Sequence, residues 1–142
     1  MRNVSHMLAR KGSHVTTVLP STTVLDALRM MADQNIGSVV VMEDDIFLGI
    51  MTERDYSRKV ILKGKSSTDT TVADIMSSEF PVVKKSDSIE YCMALLSAQN
   101  LRYLPVMENS KLVGIISIND VVKETIMEHE VTISHLQTYI QS

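Results

Sequence analysis

The sequence has one cysteine, three prolines, five glycines and no tryptophan. Cys92 has no second cysteine to pair with inside the chain, and the four histidines do not cluster with it. An intrachain disulfide and a structural zinc site are therefore not expected, and this cysteine usage fits a reducing, cytoplasmic compartment. Charge of one sign is also missing: 14 Lys+Arg against 17 Asp+Glu leave a formal charge of -3, with no block of five like charges. That balance gives a phosphate polymer little to hold, so nucleic acid is not an expected partner. No apolar run reaches the roughly 18 residues that cross a bilayer. The longest, Val39–Met42 and Leu112–Ile118, are of strand length and interrupted, so a membrane is not expected either. The basic, acid-free start, Met1–Gly12, lacks the roughly 7 to 15 apolar residues of a secretory signal and reads as a short first helix. What remains is a chain of 142 residues, 44% hydrophobic, sufficient for one compact unit with internal subdivision.

That subdivision appears when the sequence is laid on itself with a shift of 65. Val18 falls on Val83, Gln34-Asn35 on Gln99-Asn100, Val41-Met42-Glu43 on Val106-Met107-Glu108, Gly49-Ile50 on Gly114-Ile115 and Asp55 on Asp120. The chain is a duplication. In each copy an apolar face recurs at helical spacing, Val24, Ala27, Leu28 and Met31 in the first and Ile89, Cys92, Met93 and Leu96 in the second. Gln-Asn, an apolar run, a polar turn and a second apolar run follow, which reads as a hairpin. A short strand precedes each helix and a second helix starts near Glu53 or Ile118, so each repeat is β-α-β-β-α and the fold class is α/β (α+β). Short apolar-spaced segments precede both repeats, Val4-Met7-Leu8 and Val72-Ile75-Met76, here at an offset of 68. The expected division is 1–62 for the first repeat with its N-terminal helix, 63–71 for a polar linker, 72–128 for the second repeat and 129–142 for a C-terminal helical extension. Gly64-Lys65-Ser66 imitates the end of a P-loop, but Lys59 stands where that motif needs glycine.

Where a strand turns into a helix, Gly49-Ile50-Met51-Thr52-Glu53-Arg54-Asp55 is matched by Gly114-Ile115-Ile116-Ser117-Ile118-Asn119-Asp120. Hydroxyl and carboxylate three residues apart form a capping box, in which each side chain bonds the other's main-chain N–H. The same positions suit a ligand: a helix start and a hydroxyl can donate to phosphate, and a carboxylate can take both hydroxyls of a ribose. Glycine permits close approach of backbone or ligand. Capping alone requires neither the glycine nor the same carboxylate, yet glycine, hydroxyl and aspartate recur together.

With Thr-Val-x-Asp-Ala-Leu at Thr23–Leu28, Arg-Tyr-Leu-Pro-Val at Arg102–Val106 and Gly-Ile-x-Thr/Ser-x-x-Asp closing both hairpins, the sequence resembles the CBS motif named for cystathionine β-synthase. The resemblance covers nearly the whole chain, and Thr52–Lys59 and the tail are most similar to small one-pair CBS proteins of bacteria and plant organelles. It implies a stand-alone paired (Bateman) module with two clefts between the repeats that take AMP, ADP, ATP, NAD(H) or S-adenosylmethionine, with AMP and NAD(H) preferred. By position, the first cleft sets Lys11, Thr16, Ile36 and Gly37 against Ser117, Asn119 and Asp120, with Tyr103 at the rim. The second sets Met76, Pro81, Leu101 and Arg102 against Thr52, Arg54 and Asp55. Arg54 and Arg102 replace Asn119 and Gly37, so the second cleft is expected to hold the more highly charged phosphate group.

Of ten methionines, Met31, Met42, Met93 and Met107 fall on apolar faces and read as core filling. Cys92, on its helix's apolar face, reads as an inert thiol, and His14 as an exposed residue at a strand entry. Val122, Ile126, His129, Ile133, Leu136 and Ile140 alternate in steps of four and three, a seam that a second chain could cover, giving a homodimer. The sequence offers no metal cluster, activated nucleophile or aligned carboxylate pair, so no catalysis is expected. Against a nucleotide sensor acting on an unidentified protein target stand a nucleotide-processing enzyme and a structural dimer whose two motifs only cap helices.

Overall fold

A computed structural model describes residues 2–141, apart from the side chains of 131–136 and 139–141. The chain forms two compact units, one from Val15–Phe80 and the other from Met1–His14 with Pro81–Ser142. Each contains one repeat together with the segment that precedes the other repeat in sequence.

In the Val15–Phe80 unit, β1 (Thr17–Val18) runs parallel to β2 (Ser38–Glu43), which pairs antiparallel with β3 (Ile46–Thr52). Between β1 and β2 lies α2 (Val24–Gln34). Thr23 starts this helix, its hydroxyl accepting from Asp26 N at 3.2 Å. The next free donors, Val24 N and Leu25 N, give to the carbonyls of Thr70 and Ser67 at 2.9 and 3.0 Å. The polar stretch read as an unpatterned linker is thus tied to the start of α2. Asn35 ends α2 in the left-handed region, φ 54°, which asparagine tolerates better than most residues. Asp44 and Asp45, at φ 53° and 61°, make the tight turn of the hairpin, the positive angles matching strand twist. Beyond β3 come α3 (Glu53–Tyr56), a π-helical segment Ser57–Ile61 and, after the linker, α4 (Val72–Ile75).

The second unit repeats this plan with α1 (Val4–Lys11), α5 (Ile89–Ala98), β4 (Tyr103–Glu108), β5 (Lys111–Ser117) and the long α6 (Ile118–Gln141). Val83 pairs parallel with Val106 as Val18 does with Val41. Both hairpins shift register at equivalent places, after Val41 and after Val106. Asn100 repeats Asn35 at φ 52°, and Asn109 and Ser110 repeat the positive-φ turn. The expected helices and hairpins are therefore present in both copies.

The unit boundaries depart from the sequence division in one respect. The N-terminal helix, assigned to the first repeat, belongs to the unit of the second, and residues 72–80 belong to the unit of the first. The physical reason is visible in the main chain. Val72 N and Ala73 N donate to Thr22 O and Pro20 O at 2.8 and 3.0 Å. Val4 N and Ser5 N donate to Asp87 O and Lys85 O, the positions 65 residues on, both at 3.0 Å. Each exchanged segment then supplies apolar side chains that its host repeat lacks. Val72 and Ile75 are buried with Val24, Met31, Val41 and Met51, and Val4 and Met7 with Ile89, Leu96, Val106 and Ile116. Met31 is buried as expected, with Met7 and Met51, whereas Met42, Met93 and Met107 are only half-buried.

Candidate functional site

Two equivalent corners follow from this construction, one in each unit. In the Val15–Phe80 unit, Glu53 N donates to Gly37 O at 3.2 Å, joining the start of α3 to the entry of the hairpin. In the other, Ile118 N donates to Arg102 O at 2.8 Å. The strand register sets Ser38 opposite Thr52 and Tyr103 opposite Ser117.

At the first corner Thr52 and Asp55 form the capping box: Thr52 N donates to Asp55 Oδ2 at 3.0 Å, and Asp55 N donates to Thr52 Oγ1 at 3.1 Å. Thr52 Oγ1 also donates to Oδ2, at 3.1 Å. Asp55 Oδ1 accepts from Ser77 Oγ at 2.9 Å and pairs with Lys59 Nζ at 3.0 Å. Lys59 Nζ also reaches Ile75 O at 2.9 Å. Asp55 is buried, and neither Lys59 nor Ser77 was among the residues singled out from sequence. Lys59 lies one helical turn beyond Asp55 and was in that sense legible. Ser77 arrives with the exchanged segment, bonded to Ile50 N and Ile50 O, both at 2.9 Å.

The second corner joins Lys11, Ser117 and Asp120. Ser117 N donates to Asp120 Oδ2 at 2.7 Å, and Asp120 N to Ser117 Oγ at 3.2 Å. Lys11 Nζ donates to the same Oδ2 at 2.7 Å and to Ile115 O at 2.8 Å. Burial pushes the Asp120 carboxyl up, but the hydrogen bonds from Lys11 and Ser117 and the lysine charge outweigh it and hold the pKa below its ordinary value.

The remaining predicted residues divide between the units. Thr16, whose hydroxyl donates to Gln34, lies with Ile36, Gly37, Thr52, Arg54, Asp55 and Met76 in one. Pro81, Leu101, Arg102, Tyr103 and Asn119 lie with Lys11, Ser117 and Asp120 in the other. Leu101 packs on its unit's core, and Arg102 and Asn119 are exposed. Ile36 and Gly37 border a groove of about 290 Å³ with Leu28, Met31 and Glu53. The repeated glycines are explained by packing. A Cβ on Gly49 would meet Ser77 O at 2.6 Å, and one on Gly114 would meet Leu8 Cδ2 at 2.7 Å.

Behind the second corner is an ion cluster that sequence reading missed. Glu124, fully buried on α6, accepts from Arg10 Nη2 at 2.6 Å, Arg10 Nε at 3.0 Å and Arg2 Nη1 at 2.9 Å. It fastens α1 to α6. Cys92 is buried, and burial first, then the Asp87 charge, pushes its thiol up to about 11, as befits an inert cysteine. His14 is exposed.

The family model described as CBS domain matches residues 4–61 and again 72–134. The chain belongs to the CBS domain family. It is 37% identical over 124 residues to CBS domain-containing protein CBSX3, mitochondrial, of Arabidopsis thaliana, a match that covers 84% of this chain and 60% of that protein. A protein with CBS domains from Burkholderia ambifaria is 40% identical, with a TM-score of 0.85 over 89% of this chain and 95% of its own. The CBS-domain containing protein of Agrobacterium tumefaciens is 35% identical, with a TM-score of 0.83 over 87% of this chain and 99% of its own. The chain is thus a CBS pair, a type of module that commonly regulates and commonly binds adenosine nucleotides. Among the described residues, no helix is long and apolar enough to cross a membrane.

Proposed function

We propose that this CBS pair is a non-catalytic sensor of adenosine nucleotides, AMP or NAD(H) foremost and ATP or ADP in addition, that reports energy or redox state to a protein target in the cytoplasm. One observation carries the reading: a hydroxyl and a carboxylate stand in the same relation at the same corner of both repeats, Thr52 with Asp55 and Ser117 with Asp120. In the proposed first site Asp120 holds the ribose, with Ser117, Asn119 and Lys11 toward the phosphate and Thr16, Ile36, Gly37 and Tyr103 around the base. In the second, Asp55 holds the ribose with Thr52 and Arg54, and Met76, Pro81, Leu101 and Arg102 complete it. Arg54 and Arg102 direct the more highly charged phosphate group to this second site.

The capping bonds support a second reading, a scaffold whose motifs only start helices. Either module would act as a homodimer through α6, where Val122 and Ile126 are 41% and 52% exposed and His129 is exposed. Ile133, Leu136 and Ile140 of the same expected seam lie outside the described side chains. Calorimetric titration of ligand-stripped protein with AMP, ATP, NAD, NADH and S-adenosylmethionine separates the readings. The sensor gives saturable binding of AMP or NAD(H); no heat with any of them leaves the scaffold.

A further inference from the structure

Although the two motifs are twins in sequence, their carboxylates are committed to different degrees. Both oxygens of Asp55 already accept: Oδ2 from Thr52 N and Thr52 Oγ1, Oδ1 from Ser77 Oγ and Lys59 Nζ. Two of these donors, Thr52 N and Thr52 Oγ1, belong to the cap. The third, Ser77, belongs to the exchanged segment, and the fourth, Lys59, also holds that segment through Ile75 O. At Asp120, Ser117 N and Lys11 Nζ both give to Oδ2, which leaves Oδ1 outside this pair of bonds. The exchanged segment of this unit is fastened separately, by the two arginines on Glu124. The position equivalent to Glu124 in the first repeat is Lys59, so one copy uses a dedicated carboxylate for the task and the other draws on the motif carboxylate itself.

We infer that the two sites fill in order: Asp120 is the open carboxylate that receives the first ribose, and Asp55 is a structural carboxylate that staples residues 72–80 to its unit. The inference rests on the nucleotide reading and adds a ranking to it. A ribose at Asp55 must displace Ser77 or Lys59, which the unit needs; a ribose at Asp120 has Oδ1 available and displaces at most Lys11. The chemistry of asparagine distinguishes the two. At 120 an amide can keep its oxygen on Ser117 N and Lys11 and turn its NH2 to the Oδ1 side. At 55 the NH2 must face donors whichever way the amide is turned.

Thermal denaturation and AMP calorimetry of Asp55→Asn and Asp120→Asn test the ranking. Asp55→Asn is expected to lower Tm by about 5–10 °C, and Asp120→Asn by less than half as much. Asp120→Asn should weaken the first binding step by at least about tenfold, since the amide donates where a ribose hydroxyl also donates. The first step should survive Asp55→Asn. If that variant does not fold, Ser77→Ala removes one donor in its place and is expected to lower Tm while leaving the first step unchanged. Equal or reversed losses of Tm, or a first step lost in Asp55→Asn or Ser77→Ala and kept in Asp120→Asn, overturn the ranking while the nucleotide reading stands. If the wild type binds no AMP, the nucleotide reading and the ranking both fall.

Discussion

At Asp120 burial opposes ionisation, while a lysine ammonium and a serine main-chain N–H favour it and prevail. Because the folded pKa is depressed, ionised Asp120 adds stability above its unfolded value of about 3.9, and that stability is lost as pH falls through the lower folded value. Replacing Lys11 with methionine removes the hydrogen bond and charge that hold the carboxyl down but leaves its burial. Carboxyl NMR titration should therefore show Asp120 moving to higher pKa in Lys11→Met, and acid unfolding should begin at higher pH. An unchanged Asp120 titration would mean that Lys11 does not hold the carboxylate in solution. Of these residues, Thr52, Asp55, Ser117 and Asp120 were legible because a motif written twice stands out. Lys11 entered through family resemblance and is found on the carboxylate of the second repeat. Glu124 was not legible: nothing local distinguishes a buried glutamate from a solvated one until the elements carrying Arg2 and Arg10 are packed against it.

Helices and hairpins were readable because each is dictated within a short span: a cap at Thr23, an apolar face at helical spacing, an asparagine able to adopt positive φ, a polar turn. Which repeat each lead-in segment serves was not readable, since that depends on carbonyls and apolar side chains far along the chain. The change of offset from 65 to 68 was its one trace in the sequence. The exchange also explains the two glycines, and it predicts that they are unequal. Both Cβ positions are crowded, but Gly49 faces a main-chain oxygen held in a paired bridge, while Gly114 faces the tip of a leucine that can rotate. Gly49→Ala should cost about 1–3 kcal/mol, and Gly114→Ala clearly less. Chemical denaturation of the two variants measures the difference; equal losses would mean that the 72–80 segment yields as readily as a side chain.

Over the whole molecule, a duplicated sequence yields two units with the same strand order, turns and caps, whose differences are concentrated in how the motif carboxylates are employed. Family membership accounts for the fold and for a regulatory type of module. The plant relative is longer, with only 60% of it covered, so its wider activity is not carried over. The central claim is that the repeated corner receives adenosine nucleotides, and a crystal structure of the protein grown with AMP tests it most directly. The account predicts ribose hydroxyls on the Asp120 carboxylate, with Lys11 either shared with the phosphate or released. An AMP bound away from both corners, with the contacts of Asp120 to Lys11 and Ser117 unaltered, would contradict it.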